Sequence, residues 1–206
     1  MKNYRLLTEN EIEWLKAKGC TAENWKNVRV SEDFRSDYIT DVHFSGNILL
    51  GNFNKTFELA GGLQRHSGIH RCCLHNCTIE NDVYIDQVAN YIANYHIGEG
   101  AYIENVNLLV VEKDSTFGNG VKVPVMNEGG GREIPIFDYL SAPLAYILTL
   151  YRHRPVLIQK IQKLIDEYAC KLKSDIGTIG KNVRIVNAGS IKNVRIGDCA
   201  NIEGAS

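Results

Sequence analysis

The chain has 206 residues, 44% of them hydrophobic, with 23 basic side chains against 24 acidic ones and a formal net charge of −1. That balance, with no long Lys/Arg run, argues against nucleic acid or an anionic membrane as the main partner. No apolar run reaches membrane-span length, and the start MKNYRLLTENEIEW lacks a signal-peptide core, so the sequence predicts a soluble, cytoplasmic protein.

In chain order, Thr8-Glu-Asn-Glu11 reads as a capping box opening a short helix, with Ile12 and Leu15 on one face and Gly19 as the stop. Thr21-Ala-Glu-Asn-Trp25 reads as a second single turn capped by Thr21, and residues 1–27 form an N-terminal helical segment. From Val28 the sequence breaks into short apolar pieces separated by Gly, Asn and Asp. A six-residue spacing sets in at Val42 to Ile48 and Phe44 to Leu50 and runs through Phe57, Leu63 and Ile69. After five-residue steps to Leu74 and Ile79 it continues as Ile79, Ile85, Tyr91, Ile97, Ile103 and Leu109. Six matches neither a helix nor a strand, but it suits one short strand plus a corner, so that residues eighteen apart stack, Ile79 over Ile97 and Ile85 over Ile103.

Residues 28–127 are read as this first block, and residues 176–206 as a second in which the rhythm returns at Ile179, Ile185, Ile191, Ile196 and Ile202. The two blocks share one five-residue step followed by one six-residue step, with Asn76 and Asn193 coinciding. Between them, residues 128–175 carry the loop EGGGRE and a helical hairpin. Ser141-Ala-Pro143 starts its first helix, and Pro155 restarts the chain into a second with a stripe of Leu157, Ile161, Leu164, Ile165, Tyr168 and Leu172. The chain stops in mid-repeat at Ile202-Glu-Gly-Ala-Ser206, which reads as a piece of a longer protein or a short form.

Six cysteines are present, and Cys73 and Cys77 stand four apart without a second close pair to complete a zinc ribbon. The expectation is reduced thiols filling small core positions; the alternative is a metal knuckle of Cys72, Cys77 and a nearby histidine.

The hexads I79-ENDVY, I85-DQVAN, I97-GEGAY, I103-ENVNL, I179-GKNVR and I196-GDCAN resemble the hexapeptide-repeat superfamily. That resemblance implies a mainly β fold, a left-handed parallel β-helix with an inserted α-helical hairpin and a short N-terminal helix. The stretches HSGIHRCCLHNCTIENDVYI, ANYIANYHIG, NEGGGREIP and LYRHRP also look like the N-terminal part of a long, uncharacterised bacterial family known as a domain of unknown function. The superfamily resemblance implies a homotrimer and three functional classes: acyltransferases with a histidine base, sugar nucleotidyltransferases, and gamma-type carbonic anhydrases with a zinc shared between subunits. A non-catalytic scaffold or oligomerisation module is the competing expectation.

For the transferase reading, His66, His70, His75 and His96 are the candidate bases, since imidazole accepts a proton near neutral pH. His66 leads, because GGLQRHSGIH places Arg65 beside it and glycines around it. Arg65, Glu128 and Arg132 are the candidate substrate-binding residues, and acyl-CoA or a nucleotide sugar is the candidate small molecule. The loop around Arg132 reads as a phosphate cradle or as a plain exit into the hairpin, and Tyr151-Arg-His-Arg154 as a solvated helix end or an anion patch. For the zinc reading, His70 and His75 follow the rungs Ile69 and Leu74 on adjacent faces, so they could meet a metal only across subunits; no metal ligand set is assigned within the chain.

Overall fold

The computed structural model describes residues 3–124, 130, 131 and 133–205. They fall into two compact units, Met1–Glu112 with Ile176–Ser206, and Lys113–Asp175.

The first unit opens with a strand, Tyr4–Leu6, and helix α1, Glu9–Ala17. Both halves of the capping box form: the Glu11 N–H donates to the Thr8 hydroxyl at 3.3 Å, and the Thr8 N–H to the Glu11 carboxylate at 2.8 Å. Arg5 grips the same carboxylate at 2.7 and 2.8 Å, and its hydrogen bond is the main reason the Glu11 pKa falls to about 2. The turn expected from Thr21 is corrected. Thr21–Ala22 is a strand paired with His43 and Phe44, and the turn is Trp25–Asn27, whose cap Asn24 accepts from the Lys26 N–H at 3.0 Å.

The expected left-handed parallel β-helix is likewise corrected. Among the described residues the strands lie in a six-stranded sheet, an eight-stranded sheet and two antiparallel hairpins, and with three α-helices the content is mixed α/β. No closed solenoid is formed among the described residues. The reason is that a hexad rhythm fixes which side chains turn inward and where the chain corners, and so fixes parallel pairing, but it does not fix closure. The pairing it implies is present: Ile79 lies beside Ile97, Ile85 beside Ile103, and the second block continues both columns through Ile179 and Ile185. Asn76 and Asn193, matched in sequence, both take left-handed backbone at φ 50° and 56°. Asparagine tolerates that region because its short side chain bonds locally.

Three hexad positions are not rungs. Tyr91 is 41% exposed, while Ile92 is fully buried and pairs with Leu74 and Leu109 on the flanking strands. Phe57 and Leu63 belong to an antiparallel hairpin, Thr56–Glu58 with Gln64–His66, that leaves the stacked strands altogether. Cys20, Cys72 and Cys77 are buried and free, as expected of core thiols, whereas Cys170 and Cys199 are exposed.

The second unit holds α2, Ala142–Leu150, and α3, Pro155–Leu172, each with proline in its first turn. Ser141 precedes α2, but its side chain makes no capping hydrogen bond. The unit's core joins Ile134, Leu148 and Ile165, with Ile158 and Ile161 packed against it. Of the expected stripe, Ile165 is buried and Ile161 packs against the core, while Leu157 and Leu164 are corrected: they are 40% and 65% exposed, and Ala169 joins the buried face instead. Apolar residues occupy both sides of α3, so periodicity alone selects no face. Arg152 donates to the carbonyls of Gly131 and Glu133, which makes it a loop clasp within this unit.

Candidate functional site

The Thr56–Glu58/Gln64–His66 hairpin is seated by aromatic packing. Phe57 meets Tyr102 edge-on at 5.2 Å and Tyr84 at 6.3 Å, and Tyr84 and Tyr102 stack on each other at 4.7 Å. The tip passes through Gly61 and Gly62 at φ 80° and 79°, where a side chain would have open space but a strained backbone. Seated this way, the hairpin brings Arg65 and His66 over the eight-stranded sheet.

Beneath them runs a column of side chains from successive parallel strands. Thr40 pairs with His70, Asp86 with Glu104, and the pairing of Ile69 with Ile85 sets His70 beside Asp86. Hairpin and column enclose a cleft of about 400 Å³ lined by Arg65, His66, His70, Arg71 and Asp86, with Tyr38 at its wall.

His66 stacks on Tyr38, ring centroids 3.6 Å apart and planes 12° apart. Its Nδ1 lies 2.8 Å from the Ser67 carbonyl oxygen, which can only accept. Nδ1 therefore carries the proton in the neutral ring, and Nε2 keeps its lone pair. His70 Nδ1 lies 2.8 Å from the Thr40 hydroxyl. Burial lowers the His70 pKa; Asp86 opposes this, while Arg71, Lys18 and Arg65 add to it. The neutral form of His70 is thereby favoured. Gly68 lies under this ring, and a Cβ there would stand 3.0 Å from His70 Nε2.

Asp86 is only 2% exposed and is gripped by Arg71, Nε to Oδ1 at 2.8 Å and Nη2 to Oδ2 at 2.5 Å. The Tyr84 hydroxyl donates to the same carboxylate at 3.1 Å. Burial alone would raise the Asp86 pKa, but the hydrogen bonds and charge of Arg71 hold it below the ordinary value. The Tyr84 phenol is pushed up to about 12, first by burial and then by the Asp86 charge. One strand over, Tyr102 donates to Glu104 at 2.8 Å, and Arg65 Nη2 stands 3.8 Å from that carboxylate.

Of the residues expected from the sequence, Arg65, His66 and His70 meet in this cleft. His75 does not: the Asn76 amide donates to its Nε2 at 2.8 Å, and its Nδ1 lies 2.6 Å from the Ser45 hydroxyl, so both ring nitrogens are engaged. His96 lies on the six-stranded sheet, its Nε2 3.3 Å from Glu80. Glu128 and Arg132 lie outside the described residues. Tyr38, Arg71, Tyr84 and Asp86 were not expected. For Tyr84 and Asp86 the signal is the pair Tyr84-Ile-Asp86 and Tyr102-Ile-Glu104, an aromatic-plus-acid pattern repeated at the eighteen-residue stacking interval; Tyr38 and Arg71 carry none.

Among the described residues, no group of three or more His, Cys, Asp or Glu is placed to hold a metal ion. Burial raises the Cys72 thiol well above its ordinary value and Cys77 to about 11, which disfavours the thiolate a zinc knuckle needs. No helix among the described residues is long and apolar enough to cross a membrane.

A family model described as "Domain of unknown function (DUF4954)" matches residues 4–206. An uncharacterized protein of Treponema pallidum (strain Nichols) is 24% identical over 214 residues, which cover 98% of this chain and 29% of that protein. The chain thus spans less than a third of the length of this curated relative. No solved structure matches. Neither match places the chain in the hexapeptide-repeat superfamily.

Proposed function

We propose, from the premise that this chain belongs to the DUF4954 family, that the cleft is a group-transfer site for a small molecule, with His66 as general base. The observation that carries this reading is the convergence of Arg65 and His66, from the hairpin, with His70 and the Arg71–Asp86 pair, from the sheet, on one cleft.

In acyl transfer, His66 Nε2 takes the proton from an acceptor hydroxyl or amine as that atom attacks the acyl carbonyl. The new bond to the acceptor forms as the bond to the donor thiol breaks, and the imidazolium returns the proton to the leaving thiolate. The Ser67 carbonyl fixes the tautomer this requires, and the Tyr38 ring fixes the imidazole plane. Arg65 seats an anionic part of the donor or acceptor. Self-association as a trimer belongs to the same proposal.

The test is a thermal-shift screen of acyl-CoAs and nucleotide sugars on the purified chain, followed by turnover assays of the compounds that bind. Binding by one class, with turnover that falls by about 10²–10⁴ in His66→Ala, supports the reading. No shift from either class points instead to a non-catalytic scaffold.

A further inference from the structure

We propose that the cleft seats a phosphate group of its small-molecule ligand between the guanidinium groups of Arg65 and Arg71, and that Arg65 leaves Glu104 to do so. The inference rests on the reading of this cleft as a small-molecule site and names the chemistry it recognises.

Each arginine stands by the acid of one Tyr-Ile-acid pair, Arg71 by Asp86 and Arg65 by Glu104, and the two are engaged differently. Arg71 is spent on Asp86 through Nε and Nη2, which leaves Nη1 outside that pairing on a side chain that is 54% exposed. Arg65 stands 3.8 Å from Glu104, too far for a hydrogen bond. Its Nε–H is buried and has no hydrogen-bond partner among the described residues. A buried donor without an acceptor is unfavourable, and an incoming oxyanion removes that penalty.

The backbone gives an independent reason to regard Arg71 as placed for its side chain. Arg71 sits at φ 45° on a corner that neighbouring strands fill with Asp41, Gln87, Asn105 and Asn187. Asn and Asp occupy left-handed backbone at lower cost than arginine does. Strain of this kind persists where the side chain it delivers is needed.

Phosphate suits the geometry better than carboxylate. Its three terminal oxygens can accept from two guanidinium forks at once, whereas a carboxylate has two oxygens to share. Asp86 already faces Arg71, and Glu104 stands 3.8 Å from Arg65, so the second negative charge of a phosphate takes the place of Glu104 once Arg65 turns from it, against the opposing charge of Asp41 on the cleft wall. A volume of about 400 Å³ leaves room for a small molecule attached to that phosphate.

The test uses pyrophosphate as probe and malonate as the carboxylate comparison, measured by calorimetry on the whole chain. Pyrophosphate is expected to bind the wild type and to bind Arg65→Ala at least about tenfold more weakly. Should Arg65→Ala fail to fold, Arg65→Lys gives the same comparison, since it keeps the charge and loses the fork. Glu104→Gln keeps the Tyr102 hydrogen bond but frees Arg65, and is expected to tighten binding about two- to fivefold. Equal binding by wild type and Arg65→Ala, or malonate binding as tightly as pyrophosphate, overturns the proposal. Pyrophosphate binding that depends on Arg65, without turnover of any acyl donor, supports the phosphate site while removing the transferase reading. Turnover that depends on His66, without pyrophosphate binding, does the reverse.

Discussion

Tyr84 and Tyr102 stack with ring centroids 4.7 Å apart and planes 13° apart, and each donates its hydroxyl to the carboxylate two residues further along its strand. The stacking and the parallel pairing of their strands are one fact seen twice, because Tyr84 pairs with Tyr102 and Asp86 with Glu104. Phe57 and Leu59 from the hairpin pack against the same tyrosine pair. One aromatic pair therefore orients two carboxylates and docks the segment that carries Arg65 and His66. The cleft is built from the sheet's own repeat, with one excursion folded back onto it.

Asp86 is the most demanding group in that arrangement. Its folded pKa lies below the unfolded value near 3.9, so the unfolded chain binds more protons between the two values. The stability this contributes is present above the unfolded value and is lost as pH falls through the folded one. Asp86→Asn is expected to destabilise the protein at pH 7 by about 2 kcal/mol, since a neutral amide replaces a buried, paired carboxylate. Urea titrations across the acid range are expected to show a flatter pH dependence below pH 4 in the variant. Equal slopes would remove Asp86 as a contributor.

His70 feels the two members of the same pair in opposite directions, Asp86 raising its pKa and Arg71 lowering it. Its pKa is lowered, with burial the first cause, so its neutral form is favoured and stability declines as pH falls from the unfolded value near 6.5 toward the folded one. Asp86 raises the His70 pKa, against Arg71, Lys18 and Arg65. Replacing Asp86 with Asn should therefore lower the His70 pKa further. A histidine titration by NMR reads this directly, and an upward movement contradicts the electrostatic account.

Hairpin docking can be separated from hairpin chemistry. Phe57→Ala removes the edge contacts to Tyr84 and Tyr102 but leaves Arg65 and His66 in the sequence. Truncating a half-buried phenylalanine at such a contact is expected to cost about 1–3 kcal/mol, felt locally because the hairpin lies outside the stacked strands. Hydrogen exchange should accelerate at Thr56–Glu58 and Gln64–His66 while the strands Tyr84–Val88 and Tyr102–Val110 keep their protection. Faster exchange throughout would mean that the hairpin is part of the global core.

The sequence made the parallel pairing legible and the architecture less so. A six-residue rhythm identifies Ile79, Ile85, Ile97 and Ile103 as stacked neighbours, because inward apolar spacing is a local property. Sheet closure is not local, and the chain abandons the rhythm twice, at the Thr56–His66 excursion and across the second unit. The same limit acts at the site. Arg65 and His66 were readable from glycine-rich context, whereas Asp86 reads as an ordinary polar residue until Arg71, fifteen residues earlier, is folded against it. His75 shows the converse: composition marks it as a candidate, and two neighbouring side chains consume both its nitrogens.

The rung reassignment at Tyr91 and Ile92 gives the sharpest check on that account, because spacing and structure point to adjacent residues. The interval from Ile85 to Ile92 is seven and from Ile92 to Ile97 five, so a uniform count of six lands one residue early, on Tyr91. Ile92 is fully buried between Leu74 and Leu109, and its truncation to alanine leaves a cavity that three parallel strands cannot collapse around. Ile92→Ala is expected to cost about 2–5 kcal/mol, by lost transfer energy plus cavity. Tyr91→Ala removes a ring that is 41% exposed and should stay within about 1 kcal/mol of wild type. Denaturant melts of the two variants decide between the readings. A larger loss in Tyr91→Ala would restore the strict six-residue register and remove Ile92 from the core.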